Sequence, residues 1–331
     1  MKTIKPPRLK KIKWGVAGCG KYTEFSFIPT LHLLRRSTLD SVFSNNRERA
    51  KFISEKFGAP NYFDNYEEFL KSDIDAVYIG SANNHHYEEV IKAAEAGKNI
   101  LCEKPLALTS AQAEKMVNVC KRHNVLLSVN YPLRFHPSIL KAKELLDNQL
   151  IGKLISINVS YNFDLPPDTN FRFKKEESGG GALRDVGTHM IDLLRFFGGE
   201  ITEVNGVMDN IIYGSEVEDF AAAICNYKEG GYGYFNVSFN TKKGINRIEI
   251  LGHKGAISID HLIAAKNATS KLNILLEGEA RKSFRKRANK LFNLLKSVQT
   301  SFLNNEEPLV TGYDGVVNMK IMEELEKKCR R

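Results

Sequence analysis

Residues 14–21 read Trp-Gly-Val-Ala-Gly-Cys-Gly-Lys, a short apolar run that ends in a glycine turn. We predict that the run is a strand and that the turn opens a helix, whose N-terminal NH groups can bind a pyrophosphate. Gly18 and Gly20 have no side chains, so a phosphate can come close to the backbone. Thr23 stands where a dinucleotide-binding turn has its third glycine. The turn alone is a weak signal, and its place on the first strand strengthens it.

The first 130 residues alternate short apolar runs with amphipathic segments. Thr109 begins a capping box ahead of a helix that runs to about Arg122. Strands and helices that alternate at this distance predict βαβ units on a parallel sheet, and hence a doubly wound Rossmann domain of class α/β at residues 1–131. The runs typical of buried strands lie at residues 13–17, 39–43, 76–79, 100–102 and 126–129.

After Pro132 the pattern becomes rich in strands. Residues 137–148 are typical of a helix, and several strands follow without helices between them. This predicts a second domain at residues 132–331, of class α+β, with an open, mainly antiparallel sheet and the helix after Gly187 on one face. The predicted strands lie at residues 154–163, 221–227, 232–239, 247–251 and 256–259.

The composition is that of a globular protein with two domains. Of 331 residues, 42% are hydrophobic, and a domain usually holds about 100 to 200 residues. No run approaches the ~18 uncharged apolar residues of a membrane span, and residues 1–13 are rich in Lys and Pro. The cysteines form no CxxC pair, so neither disulfides nor zinc are indicated. We predict a cytoplasmic protein without a metal site.

The chain carries a net charge of +9 at pH 7, which suits nucleic acid, an acidic membrane surface or an anionic substrate. Much of the excess lies in residues 281–292, and apolar residues recur there at helical spacing, which predicts a basic amphipathic helix at residues 281–296. Such a helix can lie on anionic lipid. A surface helix packed on its own domain is the more ordinary interpretation. We therefore expect neither nucleic acid nor a membrane as partner.

Two further segments place polar groups after predicted buried elements. Residues 101–106 read Leu-Cys-Glu-Lys-Pro-Leu, and residues 179–192 read Gly-Gly-Gly-Ala-Leu-Arg-Asp-Val-Gly-Thr-His-Met-Ile-Asp. Together with the glycine turn, they resemble the Gfo/Idh/MocA family of NAD(P)-dependent oxidoreductases, which includes glucose-fructose oxidoreductase and inositol dehydrogenase. Their order and spacing match the family along nearly the whole chain. The resemblance implies the same two-domain fold, whose open sheet often forms the oligomer interface, here of a homodimer or homotetramer.

The resemblance makes Lys104 the residue that hydrogen-bonds the reacting hydroxyl, with Glu103 beside it and Pro105 often in a cis peptide bond. A lysine in a dry pocket beside a cationic nicotinamide can accept a proton near neutral pH. The alternative is a surface lysine paired with Glu103. The buried strand before Lys104 favours the catalytic role.

Asp185, His189 and Asp192 share one helical face if a helix begins near Asp185. In the family pattern His189 matches the catalytic histidine, Asp185 a carboxylate that orients substrate or histidine, and Asp192 a structural brace. Histidine suits proton transfer at physiological pH. A capping aspartate and a satisfied core histidine remain the alternative.

The cofactor's ribose is expected at the carboxyl end of the second strand, after Phe43. Asp40 lies about 20 residues beyond the turn, but it opens that strand. Ser44, Asn45 and Arg47 could instead hydrogen-bond a 2′-phosphate, which favours NADP over NAD, although Arg47 could also face solvent. The segment from Ser81 to His86 resembles the family's strand end. The predicted cofactor contacts are Gly18, Gly20, Lys21, Tyr22, Ser44, Asn45, Arg47, Ser81, Asn83, His86, Glu103 and Lys104.

The resemblance implies substrate contacts from the segment that crosses between the domains and from the chain before the three glycines. Tyr131 and Arg134 lie in the first, and Arg172 in the second, where it would suit a carboxylate or phosphate or be an exposed loop charge. With Asp185 and His189 they complete the predicted substrate site.

The sequence therefore predicts an NAD(P)-dependent oxidoreductase acting on a CH–OH group of a sugar, a nucleotide-sugar or a cyclic polyol. A cofactor-binding sensor or scaffold without enzymatic activity is the alternative. The presence of Lys104, Asp185 and His189 favours the enzyme.

Overall fold

The computed structural model describes residues 10–262 and 269–329. Its first part alternates strands and helices, as predicted: β1 (Ile12–Ala17), α1 (Ile28–Leu31), β2 (Ser37–Phe43), α2 (Arg47–Phe57), β3 (Asn61–Phe63), α3 (Tyr66–Lys71), β4 (Ala76–Ile79), α4 (His86–Glu95), β5 (Asn99–Cys102), α5 (Ser110–Arg122) and β6 (Leu127–Val129).

Within the described residues these six strands form one parallel sheet in the order β3-β2-β1-β4-β5-β6. Helices cover both of its faces, so the central strands are apolar on both sides, and all four residues of β4 are buried. The strand order reverses between β1 and β4, which opens a crevice at their carboxyl ends. The predicted Rossmann sheet is confirmed.

The second part begins with a helix and continues with strands that mostly follow one another directly: α6 (Pro137–Asp147), β7 (Leu154–Asn162), α7 (Lys175–Ser178), α8 (Thr188–Gly198), β8 (Ile201–Asp209), β9 (Phe220–Tyr227), β10 (Tyr232–Ser238), β11 (Asn246–Gly252), β12 (Gly255–Asp260), β13 (Thr269–Leu276), β14 (Lys282–Arg287), α9 (Lys290–Asn304) and α10 (Gly312–Cys329).

In the described part of this half, the strands form an eight-stranded sheet in the order β14-β13-β12-β11-β7-β10-β9-β8. Strands β7 and β10 run parallel, and the other described pairs are antiparallel. Val159, Phe235 and Ile248 are buried on the face that α8 covers. The predicted α+β class and mainly antiparallel sheet are confirmed.

The opposite face of this sheet carries exposed apolar side chains, and we call it the open face. Tyr234 pairs with Ile224 on one side and with Asn158 on the other, so these residues share a row. The open face includes Val207, Ile224, Tyr232, Tyr234, Leu251 and Leu275, each between 38% and 57% exposed.

Helix α9 returns to the first sheet. Phe302 stacks on Trp14 with ring centroids 5.8 Å apart, and Gln299 accepts a hydrogen bond of 2.9 Å from Ser37, which in turn accepts one from Trp14 Nε1. Helix α10 lies between α5 and β8. The last two helices therefore pack on the first sheet, although they follow the predicted division at residue 131 in the sequence.

The helix predicted at residues 281–296 is wrong over its first half. Residues Lys282–Arg287 form the exposed edge strand β14, which pairs with β13, and α9 begins only at Lys290 behind the cap Asn289. All six residues of this edge strand are exposed, and its charges protect the edge of the sheet. The apolar residues that suggested the helix, from Leu291 onward, are buried in α9.

None of the described helices is long and apolar enough to cross a membrane. Residues 1–9 of the predicted polar start lie outside the described residues.

Candidate active site

A cavity of ≈ 850 Å³ lies at the carboxyl edge of the first sheet, where the two halves of the chain meet. Strand ends of the first sheet line one side, and residues 170–172, the start of α8 and the start of α9 line the other. Many residues predicted from the sequence line it: Gly20, Lys21, Tyr22, Ser81, Asn83, Glu103, Lys104, Arg172, Asp185 and His189.

The glycine turn has the geometry that a dinucleotide needs. Gly18 has φ +90°, and a Cβ there would lie 2.4 Å from the backbone N of Ser81, so no larger residue fits. A Cβ on Gly20 would meet no atom within 4 Å, which leaves open space at the start of the following helix. Lys21 lines the same space. These residues therefore fit a pyrophosphate.

Lys104 and Asp185 join the two halves of the site. Lys104 follows β5, and its Nζ donates to Oδ1 and to the backbone carbonyl of Asp185, both at 2.7 Å. Arg172 Nε lies 3.4 Å from Oδ2 of the same carboxylate. Burial opposes ionisation of Asp185, but Lys104 and Arg172 outweigh it and hold its pKa well below the ordinary value. Asp185 is therefore an ionised acceptor between two cations.

His189 lies one turn beyond Asp185, because a π-helical turn at Leu183–Gly187 leads directly into α8. Its ring meets the ring of Tyr131 edge-on, with centroids 5.7 Å apart. Burial, and then the charge of Lys104, lower the pKa of His189 well below its ordinary value. Nδ1 is buried and has no hydrogen-bond partner among the described residues. The imidazole is therefore neutral and can accept a proton.

Glu103 is half-buried, and its carboxylate accepts hydrogen bonds from two side chains. Tyr78 donates its hydroxyl at 2.8 Å, and Asn130 donates Nδ2 at 2.5 Å. Burial raises the pKa of Glu103, against the opposing charge of Lys104. Asn130 Oδ1 also lines this buried corner, and it has no partner within residues 10–262 and 269–329.

The strand-end segment after β4 acts in two ways. Asn83 lines the cavity and donates to the carbonyl of Ser178 at 2.9 Å, which ties the cofactor side to the second half. His86 lies outside the cavity lining, with Nδ1 3.0 Å from the carbonyl of Pro105 and Nε2 3.2 Å from that of Ser81. Burial lowers its pKa to about 4. His86 therefore positions the loops that hold Ser81 and Lys104, and the Lys104–Pro105 bond is cis, as expected.

The predicted ribose contacts do not reach the cavity. Arg47 donates to Asp64 at 2.9 Å and lies over the ring of Tyr62, on the outer surface, so the structure does not support its predicted contact with a phosphate. Ser44 and Asn45 also lie outside the lining. Asn46 caps α2 and makes Arg47 the first helical residue, a signal that the sequence contained.

Arg49 lies in the cavity wall instead, and sequence reasoning missed it. Its Nε donates to the carbonyl of Cys19 at 2.9 Å, and its guanidinium pairs with Glu24, which also accepts from Lys56 at 2.6 Å. Arg49 is therefore anchored next to the glycine turn.

Two predicted substrate contacts are internal to the fold. Arg134 donates to both oxygens of Asp192, at 2.9 and 2.6 Å, and to Asp314 at 3.0 Å, and it is buried. The prediction that it binds substrate is not supported, because this bidentate pair holds its guanidinium away from the cavity. Tyr131 is also buried, and its hydroxyl forms a hydrogen bond of 2.7 Å with the hydroxyl of Thr188. Asp192 has the bracing contact expected of it.

Lys290, the first residue of α9, lines the cavity and was also missed. Its Nζ donates to the carbonyl of Leu262 at 3.3 Å, and burial lowers its pKa to about 8. It lies about 100 residues beyond His189 in the sequence, and no motif marks it.

Comparisons with known proteins agree with this architecture. A model described as an oxidoreductase family with an NAD-binding Rossmann fold matches residues 12–131, and the GFO/IDH/MocA C-terminal domain matches residues 139–258. The chain is 30% identical to an oxidoreductase of Formosa agariphila, over 75% of this chain and 79% of the other. It is 30% identical to myo-inositol 2-dehydrogenase of Thermotoga maritima, over 75% of each chain.

Among solved structures, the aldose-aldose oxidoreductase from Caulobacter crescentus has the same fold. It superposes with a TM-score of 0.89 at 24% identity, over 97% of this chain and 98% of the other. Other structures of this fold hold NADP or NADH. The two family models together cover most of the chain, and the chain therefore belongs to the Gfo/Idh/MocA family of NAD(P)-dependent oxidoreductases.

Proposed function

We propose that the protein transfers a hydride between NAD(P) and a secondary alcohol or ketone carbon of a sugar, a nucleotide-sugar or a cyclic polyol. The observation that carries this proposal is that Lys104, hydrogen-bonded to Asp185, lines the same cavity as His189 and the glycine turn. Sugar-type substrates are supported by relatives such as myo-inositol 2-dehydrogenase. A bound nicotinamide would supply the hydride acceptor or donor.

The residues of the chain have complementary tasks in this proposal. Oxidation of an alcohol releases the hydroxyl proton, and a neutral imidazole that lines the cavity can accept it, so His189 is the proposed base. Lys104, which donates to Asp185, orients the reacting oxygen by donating a further hydrogen to it. Asp185 and Arg172 fix the position of the ammonium group.

A screen of sugars, nucleotide-sugars and cyclic polyols with NAD⁺ and NADP⁺, followed by the absorbance of reduced nicotinamide, tests the proposal. We expect turnover of at least one compound, and a loss of turnover in His189→Ala with cofactor binding kept. Tight cofactor binding without turnover of any compound in either direction would favour the sensor or scaffold instead.

We infer that NADP(H) is preferred over NAD(H). The support is Arg49, which lies beside the glycine turn and could donate charge-assisted hydrogen bonds to a 2′-phosphate. The ion pair of Arg49 with Glu24 limits the preference for NADP(H), since a 2′-phosphate would have to compete with that carboxylate.

We propose that the open face joins two copies of the chain, as a homodimer or as half of a homotetramer. The support is its row of exposed apolar side chains, on a sheet whose other side is covered by helices that include α8 and α10. Light scattering should give a dimer or tetramer mass, and Tyr234→Asp should reduce it. Tyr313→Asp, at an exposed tyrosine of α10, is the matched control, and a monomeric wild type would overturn the proposal.

A cytoplasmic location is also part of the proposal. Its support is the cysteines, which are all unpaired in the fold and mostly buried, as suits a reducing compartment. Burial raises the pKa of Cys19, next to the cofactor turn, to about 12, so its thiol is unreactive. Fractionation of cells that produce the protein would test the location.

A further inference from the structure

The charges that line the cavity are unbalanced. Its acidic side chains, among the described residues, are Glu103 and Asp185. The basic side chains that line it are Lys21, Arg49, Lys104, Arg172 and Lys290. Lys21 and Arg49 lie beside the glycine turn, where a cofactor pyrophosphate would balance them. Lys104, Arg172 and Lys290 line the half proposed for the substrate. Lys104 and Arg172 both contact the carboxylate of Asp185.

Arg172 retains donors for a ligand. Its Nη1 donates to Asn170 at 3.2 Å, its Nε lies 3.4 Å from Asp185, and its guanidinium lies over the ring of Phe171 at 5.0 Å. In the part of the chain that the structure describes, these polar contacts use Nε and Nη1. Nη2 takes no part in them, and the side chain is 35% exposed. A planar guanidinium that is fixed in this way can bind an anionic oxygen.

Lys290 lies near His189. The titratable groups around it are His136, just before α6, and His189 on α8, and the charge of Lys290 disfavours the protonated form of both. Lys290 and His189 line the same cavity, and they are close enough for the charge of Lys290 to act on the imidazole. A ligand oriented for reaction at His189 would therefore place another of its groups against Lys290.

On the basis of the proposed function, we propose that the substrate carries an anionic group, a carboxylate or a phosphate, which Lys290 and Arg172 bind in the cavity wall beside His189. The substrate class is then a sugar acid or a sugar phosphate. Lys290 and Arg172 determine specificity by adding charge-assisted hydrogen bonds that a neutral sugar cannot accept with equal strength.

Calorimetric titration of the enzyme saturated with reduced cofactor tests this proposal. The probes are D-glucose, D-glucuronate and D-glucose 6-phosphate, which share a ring and separate the neutral, carboxylate and phosphate cases. At pH 7 we expect one of the anions to bind at least about 10-fold more tightly than D-glucose, as one charge-assisted hydrogen bond provides. Lys290→Met should abolish the preference, and Lys290→Arg should keep it.

The pH dependence separates the charge of Lys290 from its packing. Because its pKa is near 8, its charge is lost as the pH rises, and the wild-type preference should weaken from pH 7 to pH 9. Lys290→Arg should keep the preference at pH 9, since arginine stays charged. Lys286→Met, on the exposed strand β14, is the matched control and should behave as wild type.

Equal or tighter binding of D-glucose, no binding of either anion, or a preference that survives Lys290→Met would overturn the proposal. These outcomes are distinct from failure of the proposed function, which would appear as no turnover of any sugar in the wider screen. An enzyme that oxidises neutral sugars without an anion preference would keep the function and lose this inference alone.

Discussion

Replacing Lys104 with methionine removes the ammonium group and keeps most of the aliphatic stem. The change deletes two hydrogen bonds of 2.7 Å to Asp185, whose other oxygen still lies 3.4 Å from Arg172. The pair is 14% and 20% exposed, so its loss should cost about 2 kcal/mol, within the range of charge-assisted hydrogen bonds. For a chain of 331 residues, with an unfolding entropy of about 2.1 cal/mol/K per residue, the melting temperature should fall by roughly 3 °C.

Turnover should fall much further than stability. A positioned group that orients the reacting oxygen contributes ~10²- to 10⁴-fold, which corresponds to about 3 to 5 kcal/mol in the transition state. Cofactor affinity should change little, because the glycine turn lies apart from the pair of Lys104 and Asp185. The assay is the absorbance of reduced nicotinamide at saturating cofactor, with cofactor affinity from fluorescence.

The stability difference should depend on pH. Burial opposes ionisation of Asp185, but Lys104 and Arg172 hold its pKa well below the ordinary value. The ionised carboxylate therefore stabilises the folded protein above the unfolded-state pKa of about 3.9, and this contribution is lost as the pH falls. In Lys104→Met the pKa of Asp185 is less depressed than in the wild type. The difference in melting temperature between the two proteins should therefore be full at pH 6 to 8 and shrink below about pH 4.

Lys141→Met, which breaks an exposed pair with Glu144, is the matched control and should leave turnover unchanged. Near wild-type turnover of Lys104→Met would remove Lys104 from the mechanism. If the difference in melting temperature between wild type and Lys104→Met stayed constant down to pH 3, the ion pair of Lys104 with Asp185 would not be its cause.

His189→Ala should lower turnover by about 10²-fold or more. Because the pKa of His189 is lowered, wild-type turnover should stay level from pH 8 to 6. A fall in turnover centred near pH 6.5 would contradict this. Arg134→Met should lower the free energy of unfolding in urea by about 3 to 5 kcal/mol, and adding Asp192→Asn should restore part of it. A decrease of under about 0.5 kcal/mol would exclude a bracing role for Arg134. Arg49→Ala should weaken NADPH about 10-fold more than NADH by fluorescence titration, whereas Arg47→Ala should change neither; equal losses for both cofactors would remove the NADP preference.

Much of the first domain could be predicted because the central strands of its sheet are apolar on both faces. The runs at β1, β4 and β5 cannot be surface segments, and Gly18 requires a conformation that other residues avoid. Strand β8 could not be predicted, because six of its nine residues are exposed and only Val204 is buried. Strand β14 shows the limit of periodicity, since a basic run without buried residues has no face that distinguishes strand from helix.

The candidate site could be predicted where a motif places a residue next to a strand end. Lys104, Asp185 and His189 line the same cavity for this reason. Arg47 and Arg49 are two residues apart, and only the start of α2, fixed by the cap Asn46, decides which one faces the cofactor side. Lys290 reaches the cavity through the return of α9, a long-range contact that no local pattern encodes.

The stacking of Phe302 on Trp14 also has a consequence for how the chain is made. During translation the first sheet is complete about 170 residues before Phe302 leaves the ribosome, which at ~5 to 20 residues per second is roughly 10 to 30 s. For that time Trp14, fully buried in the finished protein, lacks its cover. We expect nascent chains that end before α9 to associate with chaperones, and chains released after α9 to need them far less.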